Sequence, residues 1–305
     1  MITQLCVSIM LLLSSSEYNA AQSLAKDGFG FVANIASCQE SCFGIEDYRA
    51  CKNEHYISTV THFGGGDKQT QVITQNDLDK MKAFSQLDYI WLVDCQLPRS
   101  LTIPISSWSK LQSFDWSDGD KALPEEILRQ LVQSPSIIDL ECKISSKDIG
   151  LLCQMKSLKS LYLELEKQTD LTALRPLQKQ LISLNLSGEI PDNLAEELSH
   201  FTNLRILYIH HMPVDRQFIA ALSKLDLAIL WLIDTPVSDD AIPTLEQWKT
   251  LNEICICPAY RSEGKITNKG KERLRRIPGK TIWLDEVPFA RTWEYLTEAE
   301  LKGAN

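Results

Sequence analysis

The sequence predicts an α/β solenoid, in which short parallel strands alternate with short helices. Two observations lead to this prediction. The stretch from Leu204 to Val237 contains the apolar pattern L-x-x-L-x-L twice, with residues of helical spacing between the two copies. Matching patterns recur along the chain at steps of 24, 24, 23, 23, 23, 23 and 24 residues. A constant period of this length is typical of repeat proteins, whose neighbouring repeats share one core.

The predicted strands follow this period from Leu87 onward. Their starts are Leu87, Leu111, Pro135, Leu158, Leu181, Leu204, Leu227 and Leu251, and a last strand-like TIWLD places Ile282 and Leu284 inward. Parallel strands need a crossover connection, and each repeat is long enough for a strand, two turns and a short helix. We therefore expect one parallel sheet backed by helices, with Ile57 to Phe63 as a degenerate first strand.

One repeat, Leu87-x-x-Ile90-x-Leu92-x-x-Cys95-x-Leu97, resembles the leucine-rich-repeat motif L-x-x-L-x-L-x-x-N/C-x-L. The helical halves, such as VSDDAIPTLEQWKTL, are similar to those of the cysteine-containing, ribonuclease-inhibitor-like subclass of bacterial proteins. The resemblance covers roughly residues 57–285, or about nine to ten repeats. It implies a leucine-rich-repeat solenoid, a horseshoe with the parallel β-sheet on the concave face and short helices on the convex face.

Composition excludes several classes of protein. The 305 residues are 44% hydrophobic and 23% charged, which is typical of a folded chain with a large core. A net charge of -9 and a pI near 5.2 disfavour general nucleic-acid binding, so we expect neutral or basic partners. The longest apolar run near the start, Leu5 to Leu13, is too short to span a bilayer.

The N-terminal residues 1–22 are predicted to be a signal peptide. Residues 1–16 carry no charged side chain, and small or polar residues between Ser14 and Ala21 offer a cleavage site. The expected localisation is export from the cytoplasm. The alternative is a cytoplasmic protein with a frayed or mis-started N-terminus, because the first residues lack the usual Lys or Arg.

The two ends of the repeat array need atypical units that cover its core. Residues 23–66 are predicted to form an N-terminal cap, in which Cys38, Cys42 and Cys51 would form one disulfide in an oxidising compartment. Residues 286–305 are predicted to form a C-terminal cap or tail, with Phe289 and Trp293 among its apolar residues.

Alternation along each strand gives a set of outward residues on the concave sheet. The predicted central column is Trp91, Asp115, Asp139, Tyr162, Asn185, Tyr208, Trp231, Cys255 and Trp283. The predicted flanking columns are Tyr89, Ile137, Ile206 and Ile229 on one side, and Glu141, Glu164, His210, Ile233 and Asp285 on the other. Exposed aromatic side chains concentrate binding energy, so these columns predict a partner-binding strip. The alternative is a tightly curved sheet whose aromatic residues cover one another.

These outward residues favour a non-catalytic protein-protein interaction module that binds a protein or peptide. The partner-binding residues we predict are Tyr89, Trp91, Asp115, Asp139, Tyr162, Asn185, Tyr208, His210, Trp231 and Trp283. No nucleophile, phosphate-loop or zinc-protease motif occurs in the sequence, so we expect no catalytic residue, metal or cofactor. The alternative is a thiol- or metal-dependent enzyme, or its regulatory subunit, that uses Cys255, Cys257 and His210.

Overall fold

The structure, a computed structural model, describes residues 15–27, 29–35, 55–63, 71–119, 121–257 and 266–284. The chain divides into an N-terminal unit, residues 1–143, and a C-terminal unit, residues 144–305. The predictions for residues 1–14, for Cys38, Cys42 and Cys51, and for residues 285–305 lie outside the described residues.

The N-terminal unit alternates strands and short helices. Its elements in order are α1 (Ser15–Lys26), β1 (Phe29–Ile35), β2 (His55–Phe63), β3 (Gln71–Val72), α2 (Gln75–Met81), β4 (Tyr89–Val93), β5 (Cys95–Gln96), a 3-10 helix (Ile105–Ser107), β6 (Ser113–Trp116), α3 (Glu125–Leu131) and β7 (Asp139–Cys142). The main sheet has the order β1-β2-β4-β6-β7. Its strands are parallel except β1, which is antiparallel to β2. The degenerate first strand is therefore confirmed as β2.

The C-terminal unit repeats the same alternation. Its elements are a 3-10 helix (Ser146–Gln154), β8 (Ser160–Leu165), a 3-10 helix (Leu171–Leu177), β9 (Ser183–Gly188), α4 (Leu194–Leu198), β10 (Ile206–His210), α5 (Arg216–Leu222), β11 (Ile229–Ile233), a 3-10 helix (Asp239–Ala241), α6 (Ile242–Gln247), β12 (Glu253–Cys257), α7 (Asn268–Arg275) and β13 (Thr281–Leu284). Strands β8 to β13 pair in sequence order, and all of these pairs are parallel.

The inward side chains of the strands form the core, as the period predicts. Leu207 is paired with Leu230 and with Leu184, and all three are at most 1% exposed. Indole groups satisfy carbonyls inside this core: Trp108 Nε1 donates to the Met81 carbonyl and Trp248 Nε1 to the Leu225 carbonyl. Each inward leucine contributes about 1.5 to 3 kcal/mol by burial, so neighbouring repeats stabilise one another.

The third predicted strand start, Pro135, is wrong by two residues. Phe114 in β6 is paired with Leu140 in β7, so the repeat begins at the buried Ile137. The loop between β6 and α3 is longer than the corresponding loop between β10 and α5, and it breaks the constant period. A shift of two residues preserves the alternation of the strand, so Asp139 and Glu141 still face outward but in different columns.

Several crossover segments are 3-10 rather than α-helical. The segment Ser146–Gln154 contains Gly150 and the segment Leu171–Leu177 contains Pro176. Both residues weaken an α-helix, glycine through backbone entropy and proline through its missing N–H. Elsewhere side-chain caps start the helices, as at Thr74, whose hydroxyl accepts from the backbone N–H of Asp77.

Candidate functional site: the outward faces of the two units

The outward face, meaning the sheet face turned away from the helices, carries an acidic and aromatic patch in the N-terminal unit. It comprises Tyr89, Trp91, Asp115, Asp139 and Glu141. Trp91 is paired with Asp115, and Asp115 is paired with Glu141, so these three form the central column. Asp139 is paired with Ser113 in the column of Tyr89, not in the central column as the sequence predicted. The patch is half-buried at Trp91 and Asp115 and exposed at Glu141.

Contacts across the strands hold this patch in place. The rings of Tyr89 and Trp91 are stacked with centroids 6.3 Å apart. The Tyr89 hydroxyl lies 3.5 Å from Asp115 Oδ2, and the Ser113 hydroxyl donates to Asp139 Oδ2 at 2.8 Å. The aromatic rings therefore form one wall beside a group of carboxylates.

The carboxylates of the acidic and aromatic patch resist ionisation. Burial raises the pKa of Asp115 to about 8, and the charges of Glu141 and Asp139 raise it further. Burial also raises the pKa of Glu141, to about 7, with a contribution from Asp139. At Glu141 only the charge of Asp139 adds to the effect of burial, whereas both Glu141 and Asp139 add to it at Asp115. A positive charge from a partner would relieve this repulsion.

In the C-terminal unit the central column matches the prediction. Tyr162 is paired with Asn185, Asn185 with Tyr208, and Tyr208 with Trp231. The column continues through Cys255 to Trp283 in β13. Tyr162, Asn185 and Tyr208 are half-buried, and Trp283 is 36% exposed.

Tyr162 and Asn185 in this column differ in their hydrogen bonding. The Tyr162 hydroxyl hydrogen-bonds the Ser187 hydroxyl at 2.7 Å. The side-chain oxygen of Asn185 is buried, and it has no hydrogen-bond partner among the described residues. It is an acceptor that an incoming N–H or O–H donor would satisfy.

The predicted exposure of Trp231 is wrong. The rings of Tyr208 and Trp231 are neighbours, with centroids 5.0 Å apart in an edge-to-face arrangement, as their pairing predicts. Trp231 is nevertheless only 1% exposed, and its Nε1 donates to Glu253 Oε1 at 3.0 Å. Sequence reasoning missed Glu253, although its position two residues before Cys255 places both side chains on the same face.

Trp231 belongs to an outward apolar cluster, a second buried group separate from the inward leucines. The cluster consists of Ile182, Ile206, Ile229, Trp231, Cys255 and Cys257, with Tyr208, Ala228 and Ile233 packed against it. Ile206 and Ile229 were predicted as exposed flanking residues, but they are 1% and 6% exposed. Part of the outward face is therefore apolar and buried.

The pKa values of Cys255 and His210 disfavour the thiol chemistry of the alternative function. Burial raises the pKa of Cys255 to about 12, and the neighbouring Cys257 and Glu253 raise it further. A thiol nucleophile needs the opposite shift, toward the thiolate. Burial and the neighbouring His211 lower the pKa of His210 to about 4, so this imidazole is a weak base. The arrangement supplies apolar and hydrogen-bonding contacts rather than an activated nucleophile.

Neither a metal-ligand cluster nor a membrane-spanning helix occurs among the described residues. Within them, no three His, Cys, Asp or Glu side chains converge in a way that could hold a metal ion. Within the same ranges, none of the helices is long and apolar enough to cross a bilayer.

The basic helix α7 lies at the surface, where Arg273 forms a bidentate ion pair with Glu246 at 2.6 Å.

Comparison with known proteins gives structural similarities alone. No protein-family model and no curated protein matches the sequence. An internalin (inlF) from Listeria monocytogenes is similar at 19% identity and a TM-score of 0.44; the match covers 70% of this chain and 58% of the internalin. Internalin C2 (inlC2) from the same organism matches at 21% identity and 0.36, over 75% and 80% of the two chains.

A plant protein shows the same kind of similarity. The leucine-rich-repeat ectodomain of the receptor kinase GASSHO1/SCHENGEN3 from Arabidopsis thaliana matches at 18% identity and a TM-score of 0.34, over 67% of this chain and 28% of that one. The repeat assignment itself follows from the strand register and the crossover helices described above. Each of the two units is an α/β solenoid of leucine-rich-repeat type.

Proposed function

We propose that this protein is a non-catalytic interaction module that binds a protein or peptide on the outward face of its sheet. The observation that carries the proposal is the acidic and aromatic patch of the N-terminal unit. Stacked Tyr89 and Trp91 stand beside Asp115, Asp139 and Glu141 at positions that remain open to solvent. Aromatic side chains provide binding energy, and the carboxylates favour cationic groups.

The partner of this patch is a segment with Lys or Arg next to an apolar or aromatic side chain. A cation placed among the carboxylates favours their ionised form, which burial and mutual repulsion disfavour in the unbound protein. An apolar side chain would pack against the stacked rings. The net charge of -9 attracts such basic partners at longer range.

Selection from a random peptide library on the immobilised protein tests this proposal. We expect enrichment of peptides that combine basic and apolar residues. The variant Glu141→Lys should weaken binding of the selected peptides by about tenfold or more, because it places a cation against a cation. The matched control is Glu126→Lys, an exposed charge reversal on α3. Equal binding by wild type and Glu141→Lys would contradict the proposal.

The same proposal includes export of the protein. The uncharged apolar residues 1–14 suit a signal peptide, and cleavage after Ser14 would leave helix α1 whole. Ala21 and Leu24 of α1 are buried, and the Asp27 carboxylate that follows pairs with Lys80 at 3.0 Å. These contacts favour the earlier end of the expected cleavage range.

A further inference from the structure

The turns that lead into strands β8 to β13 form a basic rim on an otherwise acidic protein. The basic rim comprises the five residues before each strand, and each of these six turns contains Lys or Arg: Lys156, Lys159, Lys179, Arg205, Lys224, Lys249, Arg276 and Lys280. Asp226 is the single acid in the same stretches. Because the strands are parallel and paired in sequence order, about 4.8 Å apart, the six turns lie side by side at one end of the sheet.

Three of these cations have a structural role. The side chains of Lys156, Arg205 and Lys280 donate hydrogen bonds to backbone carbonyls in or beside the turns. Arg205 also pairs with Asp226 at 3.3 Å. Cations are favourable here because the crossover helices end at these turns with unsatisfied carbonyls. This role explains why part of the basic rim is present without any ligand.

The lysines at positions 179, 224 and 249 have no such role. Their side chains are exposed, and within the described ranges they form no hydrogen bond or ion pair. Lys224 and Lys249 precede the adjacent strands β11 and β12, and Lys179 precedes β9. Like charges held side by side on a rigid sheet attract an anion, because it reduces their mutual repulsion. These three ammonium groups therefore remain for a ligand.

A groove of about 530 Å³ lies between the turns of Lys224 and Lys249, which both line it. Trp248 and Leu225 fix its shape, since both are buried and the indole Nε1 donates to the Leu225 carbonyl at 3.1 Å. The remaining lining is mostly polar, with hydroxyl and amide groups from Ser223, Thr244, Gln247 and Thr250. The volume is within the range of small-molecule sites, whereas the polar lining suits a hydrophilic ligand.

We propose that the basic rim of the C-terminal unit binds an anionic polysaccharide, with one sulfate- or carboxylate-bearing sugar in the groove between Lys224 and Lys249. Such a chain carries hydroxyl groups on its sugars and charges at regular intervals. The groove supplies hydroxyl and amide partners for the first and ammonium groups for the second. The strand spacing of about 4.8 Å is close to the length of one sugar in an extended chain, so successive sugars meet successive turns toward Lys179.

The groove disfavours other polyanions. Single-stranded nucleic acids stack their bases on exposed aromatic rings, but the aromatic residue of the lining, Trp248, is 3% exposed. Membrane surfaces and acidic peptides are held in addition by apolar contacts. The large apolar side chains of the lining, Trp248 and Leu225, are both buried and offer none. The net charge of -9 repels polyanions at long range, so binding depends on the local contacts and weakens as salt is added.

Isothermal titration of the full chain with a heparin-derived octasaccharide tests the proposal. The double variant Lys224→Gln with Lys249→Gln should bind about tenfold more weakly, because two ion pairs are lost. Lys224→Arg with Lys249→Arg should retain binding. The matched control is Lys167→Gln with Lys269→Gln, which removes the same charge from exposed positions that follow strands β8 and β12. It should bind like wild type, and thermal melts of all variants should coincide because every replaced side chain is exposed.

The length of the oligosaccharide distinguishes the basic rim from an isolated pair of lysines. Lys179 lies two strands from Lys224, about 10 Å away. Lys179→Gln should therefore weaken binding of the octasaccharide and leave binding of a heparin-derived disaccharide unchanged. An equal effect on both lengths would contradict the extended mode of binding.

Several results would overturn the proposal. They are an absence of octasaccharide binding, equal binding by wild type and the Lys224→Gln, Lys249→Gln variant, or an equal loss in the matched control. Polyglutamate, oligothymidylate or phosphatidylserine vesicles that bind as tightly as the octasaccharide would show that the ligand class is wrong. None of these titrations involves a peptide partner of the acidic and aromatic patch, so the two proposals fail separately.

Discussion

At the scale of single residues, the environment of a side chain on the outward face decides what it does. Trp91 and Trp231 occupy the same column position in their repeats, yet Trp91 is half-buried and Trp231 is 1% exposed. The first is available to a partner, and the second already has one in Tyr208 and Glu253. Trp231 is therefore expected to support the fold rather than bind directly.

Replacement of Trp231 by alanine should lower the free energy of unfolding by about 3 to 5 kcal/mol, because it leaves a cavity. It also removes the hydrogen-bond donor for the buried Glu253. Urea denaturation measures the loss. Trp283→Ala, in the same column but exposed, is the control and should cost far less. Equal losses for the two variants would show that Trp231 is not buried as described.

The raised pKa of Asp115 predicts a pH dependence of stability. Its pKa of about 8 in the folded protein exceeds the unfolded value of about 3.9, so the folded state binds the proton more tightly between these values. Stability from this group is complete below about pH 4 and is lost as the pH rises toward 8. Asp115→Asn should therefore gain stability relative to wild type on going from pH 4.5 to pH 8.5.

Thermal melts of wild type and Asp115→Asn at both pH values provide the measurement. Glu126→Gln, an exposed carboxylate on α3, is the matched control and should follow wild type. A difference between wild type and Asp115→Asn that stays constant with pH would contradict the assignment.

At the scale of elements, the backbone at the ends of β4, β9, β10 and β11 repeats one conformation. Asp94, Gly188, His211 and Asp234 stand at equivalent positions and all have positive φ. The non-glycine residues are short polar ones or histidine, which tolerate this region better than most. His211 and Asp234 support each other across adjacent turns, with Nδ1 and Oδ2 2.7 Å apart. The residues at these turns therefore help to specify the repeat, as the inward leucines do.

Gly188→Ala should destabilise the C-terminal unit by more than the about 1 to 2 kcal/mol expected for left-handed backbone alone. A Cβ at residue 188, where φ is 93°, would collide with the carbonyl oxygen of Leu165 on the neighbouring strand. Gly119→Ala, also at positive φ but with open space around it, separates the two effects. Equal costs in denaturation would mean that the collision is absent.

At the scale of the whole molecule, two compact units of the same repeat type present different surfaces. The N-terminal unit offers carboxylates and stacked rings, and the C-terminal unit has an apolar cluster that is buried. The surface of the N-terminal unit favours contact with a basic partner. The expected export of the protein fits such a role.

Export predicts a specific product. Expressed with its own start in a bacterium, the protein should appear outside the cytoplasm without its first residues, and N-terminal sequencing should find the new end near Ser15. Val7→Lys should block export because it places a charge in the apolar run, whereas Val7→Leu should leave export unchanged. A cytoplasmic product that retains Met1 would show the prediction to be wrong.

The sequence by itself determined the repeat architecture because its signal is regular and local. Inward leucines at a constant period predict strand register wherever loop lengths stay constant, as from Leu158 to Leu251. The register was lost only at β7, where a longer loop shifts the start from Pro135 to Ile137. Alternation also identified which side chains face outward, because a two-residue slip leaves that unchanged.

Only the tertiary structure decided which outward side chains meet solvent. Burial depends on groups distant in sequence, and no local pattern separates Trp231 from Trp91. The same holds for the pKa of Asp115, which the pairing with Glu141 and the nearness of Asp139 determine only once the strands are aligned. The period of the apolar residues predicts the direction in which a side chain points. Its accessibility and charge state depend on the groups that pack against it.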